Sequence, residues 1–291
     1  MTDIFTEKIC IVTGGTSGIG LAVSEVLLKR GAVVYMADIS EKNIAAAQEK
    51  LKEFSNARFA RVDVTRQPEI ANLIQTCARE NGRLDYLFNN AGISQGLPFE
   101  MVTLAMWEKI INVNLWGVIY GIDAAFPIME KQGFGHIVNT SSTAGLIPPP
   151  YQPVYCATKY AVTGLGESLR YELAHKGIAV TTICPSNVAT PIFEDAAPPE
   201  DAILPEEAAE IILAGVEQKK GIVILPHRAD TFYRWGLIHP EEMEQWIFEQ
   251  AEIRRKAYED HGNIISLERT RLPQRYLLTE LIKPRFFTKH S

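Results

Sequence analysis

Apolar and polar positions follow two alternating patterns along the chain. Short runs rich in β-branched and aromatic residues are followed by longer segments in which apolar residues recur with the helical period. The first pattern predicts strands at 8–13, 32–38, 57–63, 84–90, 135–141, 178–184 and 221–226. The second predicts helices at about 18–30, 41–54, 68–81, 103–131, 154–176 and 206–218. This alternation predicts a parallel sheet with helices on both faces.

The pattern changes in the last part of the chain. After about residue 227 the alternation of strands and helices stops. Residues 240–260 have the spacing of one amphipathic helix, and we expect an irregular tail after it.

A glycine-rich segment, TGGTSGIG, joins the first predicted strand to the first predicted helix. In such a position one glycine permits a sharp turn, another lets the backbone approach a pyrophosphate, and a third lets the helix pack close to the strand. Gly14, Gly18 and Gly20 would take these roles. The N–H groups and the positive dipole end of helix 18–30 would then face a diphosphate. A purely conformational role for these glycines is the alternative.

The second predicted strand ends in an acidic residue, Asp38, which lies 18 residues after Gly20. An acid at about this offset binds the adenosine ribose hydroxyls of a dinucleotide. Its carboxylate would repel a 2′-phosphate, and no Arg or Lys lies in the glycine turn or just after Asp38, so the sequence favours NAD over NADP. Asp38 could instead be a loop acid or the N-cap of helix 41–54.

These observations together predict an α/β fold with a Rossmann-type doubly wound parallel sheet of about seven strands and a C-terminal helical extension. The predicted organisation is a dinucleotide-binding catalytic domain over residues 1–228, followed by the helical extension and tail over residues 229–291.

Further motifs follow the glycine turn in a fixed order. They are 63-DV-64, 89-NNAG-92, 112-NVNLWG-117, Ser142, 155-YCATK-159 and 185-PSNVAT-190. With the T-G-x-x-x-G-x-G spacing of the turn, the chain resembles the short-chain dehydrogenase/reductase family over roughly residues 5–225. The resemblance implies a catalytic tetrad of Asn114, Ser142, Tyr155 and Lys159. The cofactor-binding positions that it implies, together with the glycine turn and Asp38, are Gly14, Thr16, Ser17, Gly18, Ile19, Gly20, Asp38, Asp63, Val64, Asn90, Ala91, Gly92, Tyr155, Lys159, Pro185, Val188 and Thr190.

The tetrad suits the oxidation of an alcohol by NAD, which needs a base for the hydroxyl proton while hydride leaves the carbon. A tyrosine with its usual pKa of about 10 is a poor base near neutrality. Lys159 lies four residues after Tyr155 on one helix face, so its ammonium, together with the cationic nicotinamide, should lower the pKa of the phenol. Ser142 would hydrogen-bond the substrate oxygen, and Asn114 would hold a water that links Lys159 to solvent.

The sequence therefore predicts an NAD-dependent short-chain alcohol dehydrogenase or carbonyl reductase, which transfers hydride between nicotinamide and a secondary alcohol or ketone. Two other functions stay open. One is a regulatory or scaffold protein that binds the cofactor on the same fold, and the other is an epimerase or dehydratase that uses NAD transiently.

Two segments, 144–151 and 191–204, occupy positions that line or cover the substrate cleft in relatives of this fold. Their apolar side chains predict a mainly apolar pocket and a hydrophobic substrate, although the same side chains could be ordinary core residues. The residues concerned are Leu146, Ile147, Tyr151, Ile192 and Phe193.

Composition limits the other classes of partner. The net charge of -6 argues against nucleic-acid binding. The four cysteines lie far apart without a C-x-x-C pair or clustered histidines, so no metal site is predicted. The first residues, MTDIFTEK, include acids and lack the apolar region of a secretory signal, which predicts a cytoplasmic protein.

The C-terminal extension differs from the rest of the chain in charge. Residues 254–291 carry nine Lys or Arg and four Asp or Glu, a net of +5, which leaves -11 on residues 1–253. Its apolar side chains could pack on this acidic body, cover the cleft of a neighbouring subunit, or contact an anionic membrane, and packing is our prediction. They include Trp246, Ile247, Tyr276, Leu277, Phe286 and Phe287.

Self-association is also expected. Relatives often end soon after the seventh strand in a segment that contributes to a tetramer, whereas this chain continues. We therefore predict a homodimer through helices 103–131 and 154–176, with a homotetramer as the alternative.

Overall fold

The computed structural model describes residues 3–193 and 201–262, in which seven parallel strands form one sheet. The strands are β1 (Ile9–Thr13), β2 (Val33–Asp38), β3 (Ala57–Arg61), β4 (Tyr86–Asn89), β5 (Gly135–Thr140), β6 (Ile178–Pro185) and β7 (Ile222–Leu225). Their order in the sheet is β3-β2-β1-β4-β5-β6-β7, so the chain runs outward from β1 to one edge and then returns to β4 beside β1. The predicted doubly wound sheet is confirmed.

Helices connect the strands and cover both faces of the sheet. They are α1 (Gly18–Lys29), α2 (Glu41–Lys50), α3 (Gln67–Asn81), α4 (Leu104–Ile111), α5 (Gly117–Gln132), α6 (Pro153–Leu173), α7 (Pro205–Glu217), α8 (His227–Ile238) and α9 (Pro240–His261). Strand β2 shows why several strands are apolar over most of their length. Val34 and Met36 pack into the core layer on the side of α1 and α7, while Tyr35 and Ala37 pack into the layer on the side of α3 and α5.

The single helix predicted at 103–131 is interrupted. Helices α4 and α5 are joined by a π-helical turn over Asn112–Trp116. A π-helical turn carries one more residue than an α-helical turn, and such turns are frequent at functional sites. Asn114 lies in this turn and is completely buried, whereas Asn112 is exposed.

The C-terminal region contains two helices where the sequence predicted one. The predicted helix at 240–260 is α9, but α8 before it was not predicted. Phe232 and Trp235 of α8 form a buried cluster with Met243 and Trp246 of α9. The aromatic spacing in α8 is short and uneven, which explains why the helical period was not evident.

The remaining predictions about this region stay predictions. The division after residue 228 falls within α8. Ile247 packs against the cluster formed by α8 and α9. The tail residues Tyr276, Leu277, Phe286 and Phe287 lie outside the described part of the chain. Within the described residues, no helix has the combination of length and apolar character needed to cross a bilayer.

Candidate active site

A cavity of about 550 Å³ opens at the carboxyl ends of the strands, where the strand order reverses between β1 and β4. In doubly wound sheets ligands bind at this position. Segments that follow β1, β4, β5 and β6 contribute to its walls, together with α6, α8 and α9. The predicted site residues that line it are Gly14, Ser17, Gly18, Ile19, Asn90, Ala91, Gly92, Ser142, Ile147, Tyr155, Lys159, Pro185, Val188, Thr190 and Ile192.

The glycine turn forms a cradle at one end of this cavity. Gly14 and Gly18 have φ values of +61° and +51°, which residues with a Cβ rarely adopt. Helix α1 begins at Gly18, and its N-cap, Ser17, makes no side-chain capping bond. The first backbone N–H groups of α1 therefore face the cavity, which suits the diphosphate of a dinucleotide.

Hydrogen bonds between β1 and β4 hold the glycine turn in place. The Thr13 hydroxyl accepts bonds from the N–H groups of Asn90 (2.9 Å) and Ala91 (3.1 Å). The Asn90 side-chain amide donates to the carbonyl of Thr13 at 3.0 Å. Thr13 was not among the predicted site residues, although it is the first residue of the T-G-x-x-x-G-x-G turn, because its bonds are to the end of β4, which lies more than seventy residues later in the chain.

Asp38 is oriented by the glycine turn. Its Oδ2 accepts a bond from the Thr16 hydroxyl at 2.6 Å, and its Oδ1 accepts one from the N–H of Ser40 at 3.0 Å. Asp38 is not the N-cap of α2, because Ser40 caps this helix through its bond from the N–H of Asn43 (3.2 Å). The alternative of an N-cap role is therefore wrong, and the carboxylate stands fixed beside the glycine turn.

The next predicted pair, Asp63 and Val64, lies in a compact turn after β3. The Asp63 carboxylate accepts bonds from the N–H (2.9 Å) and the hydroxyl (2.8 Å) of Thr65. Val64 packs against Gly117 at the start of α5. Like Thr16, Gly20 and Asp38, this pair is absent from the described lining of the cavity. Its role in contacting adenine stays a prediction.

Tyr155 and Lys159 lie one helical turn apart near the start of α6. The Lys159 ammonium is 5.4 Å from the centroid of the Tyr155 ring and donates to the carbonyl of Thr140 at 2.9 Å. The single O–H of Ser142 can donate either to the phenol or to the carbonyl of Pro185 at 3.3 Å. The three functional groups therefore meet in one wall of the cavity.

The fourth predicted residue, Asn114, lies behind this wall. Its side-chain amide accepts from the N–H of Ile93 and donates to the Ile93 carbonyl, both at 2.9 Å. A Cβ on Gly92 would stand 3.4 Å from Asn114 Oδ1 and 3.6 Å from Lys159 Nζ, so both groups border the same small space. Asn114 fixes the backbone beside Lys159, and its proposed contact with a water stays a prediction.

Burial dominates the proton affinities in this wall. It raises the pKa of Tyr155 to about 12, against the opposing effect of the hydrogen bond from Ser142. It also lowers the pKa of Lys159 to about 8. Burial disfavours the charged form of both side chains, so the expectation that Lys159 and the cationic nicotinamide together lower the phenol pKa stays a prediction. The positive charge of a bound nicotinamide would have to supply the difference.

Replacing Lys159 with Met should therefore stabilise the fold while removing turnover. The folded protein holds this amine at a pKa of about 8, below its ordinary 10.5, so folding opposes the charged form. The stability gained in Lys159→Met is largest below about pH 8 and disappears as the pH rises through about 10.5. We expect the free energy of unfolding at about pH 7 to rise by ~1–3 kcal/mol in urea titrations.

The control for this prediction is Lys52→Met, which removes an exposed lysine of similar length. Its effect on stability should be small and should not follow the same pH interval. An equal gain for Lys159→Met at about pH 7 and about pH 11 would contradict the role of burial.

The predicted substrate pocket is only partly assembled as expected. Ile147 and Ile192 line the cavity, but Leu146 and Tyr151 are absent from its described lining. The main chain at Tyr151 is left-handed (φ +65°), and its carbonyl accepts a bond from the N–H of Leu97. The structure does not describe the side chain of Phe193. A sequence does not fix side-chain directions within an irregular loop.

Helices α8 and α9 contribute residues to the cavity that the sequence analysis did not place there. They are Arg228, Ala229, Phe232, Trp246, Gln250 and Arg254. For Trp246 the sequence predicts only packing on the body of the protein. The four cysteines are buried and free, and no group of His, Cys, Asp and Glu in the described residues could hold a metal ion.

Comparison with known proteins gives the family. Residues 8–201 match the family model described as short chain dehydrogenase. The chain belongs to the short-chain dehydrogenase/reductase family. The match ends before α8, so the two C-terminal helices of this short-chain dehydrogenase lie beyond it.

Individual relatives agree with this assignment. Over 224 residues the chain is 33% identical to the D-beta-hydroxybutyrate dehydrogenase of Rhizobium meliloti (strain 1021), covering 75% of this chain and 87% of that protein. The crystal structure of levodione reductase has a TM-score of 0.70 and 27% identity, covering 76% of this chain and 96% of that one. A short-chain dehydrogenase/reductase from Burkholderia phymatum, in complex with NAD, has a TM-score of 0.71 and 24% identity, covering 89% and 96%. The last similarity shows the fold alone.

Proposed function

We propose that this short-chain dehydrogenase transfers hydride between NAD and a secondary alcohol or ketone. The family supports an oxidoreductase that acts on a small molecule. The observation that carries the proposal is that Ser142, Tyr155 and Lys159 meet in the wall of the cavity that also contains the glycine cradle. A protein that only bound the cofactor would not need this arrangement.

Each group in the wall has a role in this reaction. Bound NAD would supply the hydride acceptor and a positive ring next to the phenol. Tyr155 accepts the hydroxyl proton during oxidation and returns it during reduction. Ser142 holds the substrate oxygen as its charge changes. Lys159 donates hydrogen bonds at the base of the cavity, where Thr140 orients its ammonium. Ile147, Ile192 and Phe232 offer apolar surface to the carbon skeleton of the substrate.

The cofactor in this proposal is NAD, and the support is the position of Asp38. Its carboxylate is fixed by Thr16 and Ser40, so it cannot turn away from a 2′-phosphate without losing these bonds. Arg61 lies opposite Asp38 in the register of β2 and β3, but its guanidinium contacts Glu41 at 3.4 Å. An acid that is held in place beside a cation already paired with another acid favours the uncharged ribose hydroxyls of NAD over the 2′-phosphate of NADP.

A screen of secondary alcohols and ketones, followed by NADH absorbance, tests this function. We expect kcat/KM with NAD to exceed that with NADP by at least about a hundredfold, because like charges repel at Asp38. Asp38→Ala should reduce the ratio to within about tenfold, since Arg61 can then approach a 2′-phosphate. The control is Asp63→Ala, whose carboxylate bonds within its own turn and should leave the ratio unchanged.

The proposal fails if no alcohol or ketone in the screen supports turnover with either cofactor. An unchanged ratio in Asp38→Ala would contradict the assignment of NAD and leave the oxidoreductase activity standing.

A cytoplasmic location and assembly into a homodimer or homotetramer belong to the same proposal. The helices proposed to form the dimer expose large apolar side chains, which supports an interface there. These side chains are Leu104, Trp116, Tyr160 and Tyr171.

A further inference from the structure

Three residues of α9 that line the cavity each carry a buried hydrogen-bond donor without a partner among the described residues. These donors are Trp246 Nε1, Gln250 Nε2 and Arg254 Nε, and each is buried with no hydrogen-bond acceptor among the described residues. All three residues line the cavity. They follow one another at intervals of four, so they share one face of the helix. Trp246 and Gln250 are 9% and 5% exposed, which leaves water little access to them.

A buried donor without an acceptor is costly, and native proteins rarely leave several of them together. Here all three atoms are donors, and they belong to one helix face that borders the candidate active site. A ligand with acceptor oxygens would satisfy them.

The charges around the cavity favour an anion. Arg228 contacts Asp201 in the same wall, and Asn187 also donates to the Asp201 carboxylate at 3.2 Å, so this acid is compensated. Arg254 makes no ion pair with any carboxylate of the described residues. Its neighbour Arg255 bridges Glu252 and Glu259 on the outer surface of α9.

Arg254 remains a cation despite its surroundings. Burial lowers its pKa to about 10, which still leaves the guanidinium protonated near neutrality. A buried cation that lacks an acidic partner is unfavourable unless a ligand supplies the negative charge.

The position of Arg254 relates this charge to the reacting groups. Its Nη1 donates to the carbonyl of Pro150 at 2.7 Å and to the side chain of Gln152 at 3.3 Å. Gln152 is the N-cap of α6 and lies three residues before Tyr155. The guanidinium is therefore held at the start of the helix that carries the proposed base, within reach of a small substrate that contacts Tyr155.

We propose that Trp246, Gln250 and Arg254 form an anion subsite that binds a carboxylate of the substrate. The substrate is then a hydroxy acid, which loses a hydride to NAD and a proton to Tyr155 and becomes the corresponding oxo acid. This inference rests on the proposed oxidoreductase function. It replaces the prediction of a hydrophobic alcohol or ketone with a substrate whose carbon skeleton contacts Ile147 and Ile192 and whose carboxylate contacts α9. The planar fork of an arginine suits a carboxylate.

Matched pairs of substrates test the subsite. Short-chain 2- and 3-hydroxy acids are compared with their methyl esters, which keep the carbon skeleton and lose the charge. We expect the wild-type protein to prefer at least one acid over its ester by about thirtyfold or more in kcat/KM. Arg254→Met should lower kcat/KM for this acid by about thirtyfold or more and change that for the ester by less than about threefold.

Three further variants separate recognition from structure. Arg255→Met removes the same charge one residue away on the exposed side of α9 and should leave the preference for acids unchanged. Arg254→Lys keeps a positive charge and should restore part of it. Gln250→Leu removes one donor without removing a charge and should weaken the preference for acids by a smaller factor. If Arg254→Met does not fold, Gln250→Leu tests the subsite in its place.

Binding is measured separately from turnover. In thermal unfolding, butyrate should raise the Tm of the wild-type protein, and butanamide at the same concentration should not. Arg254→Met should abolish this difference. Equal kcat/KM for all acids and esters, an equal loss on both in Arg254→Met, or equal Tm shifts with butyrate and butanamide would overturn the subsite. Turnover of neutral alcohols alone would overturn the subsite and leave the proposed oxidoreductase function intact.

Discussion

Tyr155→Phe should lower kcat at least about a hundredfold while leaving the affinity for NAD within about threefold. The substitution removes only the phenolic oxygen, which is the atom proposed to exchange the proton. The ring keeps its packing beside Lys159, and the glycine cradle that would hold the diphosphate is more distant along the cavity. Steady-state rates followed by NADH absorbance give kcat, and calorimetric titration gives the affinity for NAD.

The matched control is Tyr160→Phe, which alters the other tyrosine in the same part of α6. Tyr160 is 42% exposed and is absent from the described lining of the cavity. We expect its kcat to stay within about twofold of the wild-type value. Comparable activity in Tyr155→Phe and Tyr160→Phe would remove Tyr155 from the mechanism.

Gly20→Ala should weaken NAD binding by about thirtyfold or more and destabilise the protein by ~1–3 kcal/mol. A Cβ at this position would stand 2.1 Å from the carbonyl oxygen of Gly14 and 2.5 Å from the side-chain nitrogen of Asn90. One of these contacts is with backbone, so the turn itself must open. Opening would also strain the bond between Asn90 and Thr13 that connects the turn to β4.

Gly164→Ala is the control for this substitution. Gly164 lies in α6, and no described atom comes within 4 Å of the position that its Cβ would take. Alanine favours the helix more than glycine does, so we expect a gain in stability of ~0.5–1 kcal/mol and unchanged NAD binding. Chemical unfolding and calorimetric titration measure both quantities. If Gly20→Ala behaved like Gly164→Ala, the close contact at the glycine turn would not matter for the cofactor.

Local patterns allowed much of the fold to be predicted. The seven strands and the helices between them could be predicted because most strands are short apolar or β-branched runs and the apolar residues of most helices repeat with the helical period. The glycine turn could be found because its strand and helix are adjacent in sequence. The π-helical turn at Asn112–Trp116 was not predicted, because it does not visibly interrupt the helical period of the apolar residues. Helix α8 was not predicted, because its apolar residues do not repeat with a clear helical period.

The candidate site depended more strongly on contacts between distant segments. The sequence grouped Ser142, Tyr155 and Lys159 through a family resemblance, but it did not give the balance between burial and charge that raises the pKa of Tyr155. This balance depends on how many side chains exclude water from the wall of the cavity. The same limit applies to the substrate pocket, where Ile147 lines the cavity and its neighbour Leu146 is not part of the described lining.

The sequence by itself determined the succession of strands and helices along the chain and the glycine turn after β1, and through the family resemblance it gave the candidate positions of the tetrad. These features follow from local periodicity, backbone conformation and the fixed spacing of motifs. Only the tertiary structure distinguished Arg254 from Arg255, which are the same residue type side by side in α9. Arg254 reaches Pro150 and Gln152 more than a hundred residues earlier in the chain, whereas Arg255 pairs along its own helix. Burial comes from contacts between segments that are distant in sequence, and a sequence pattern within one helix does not contain them.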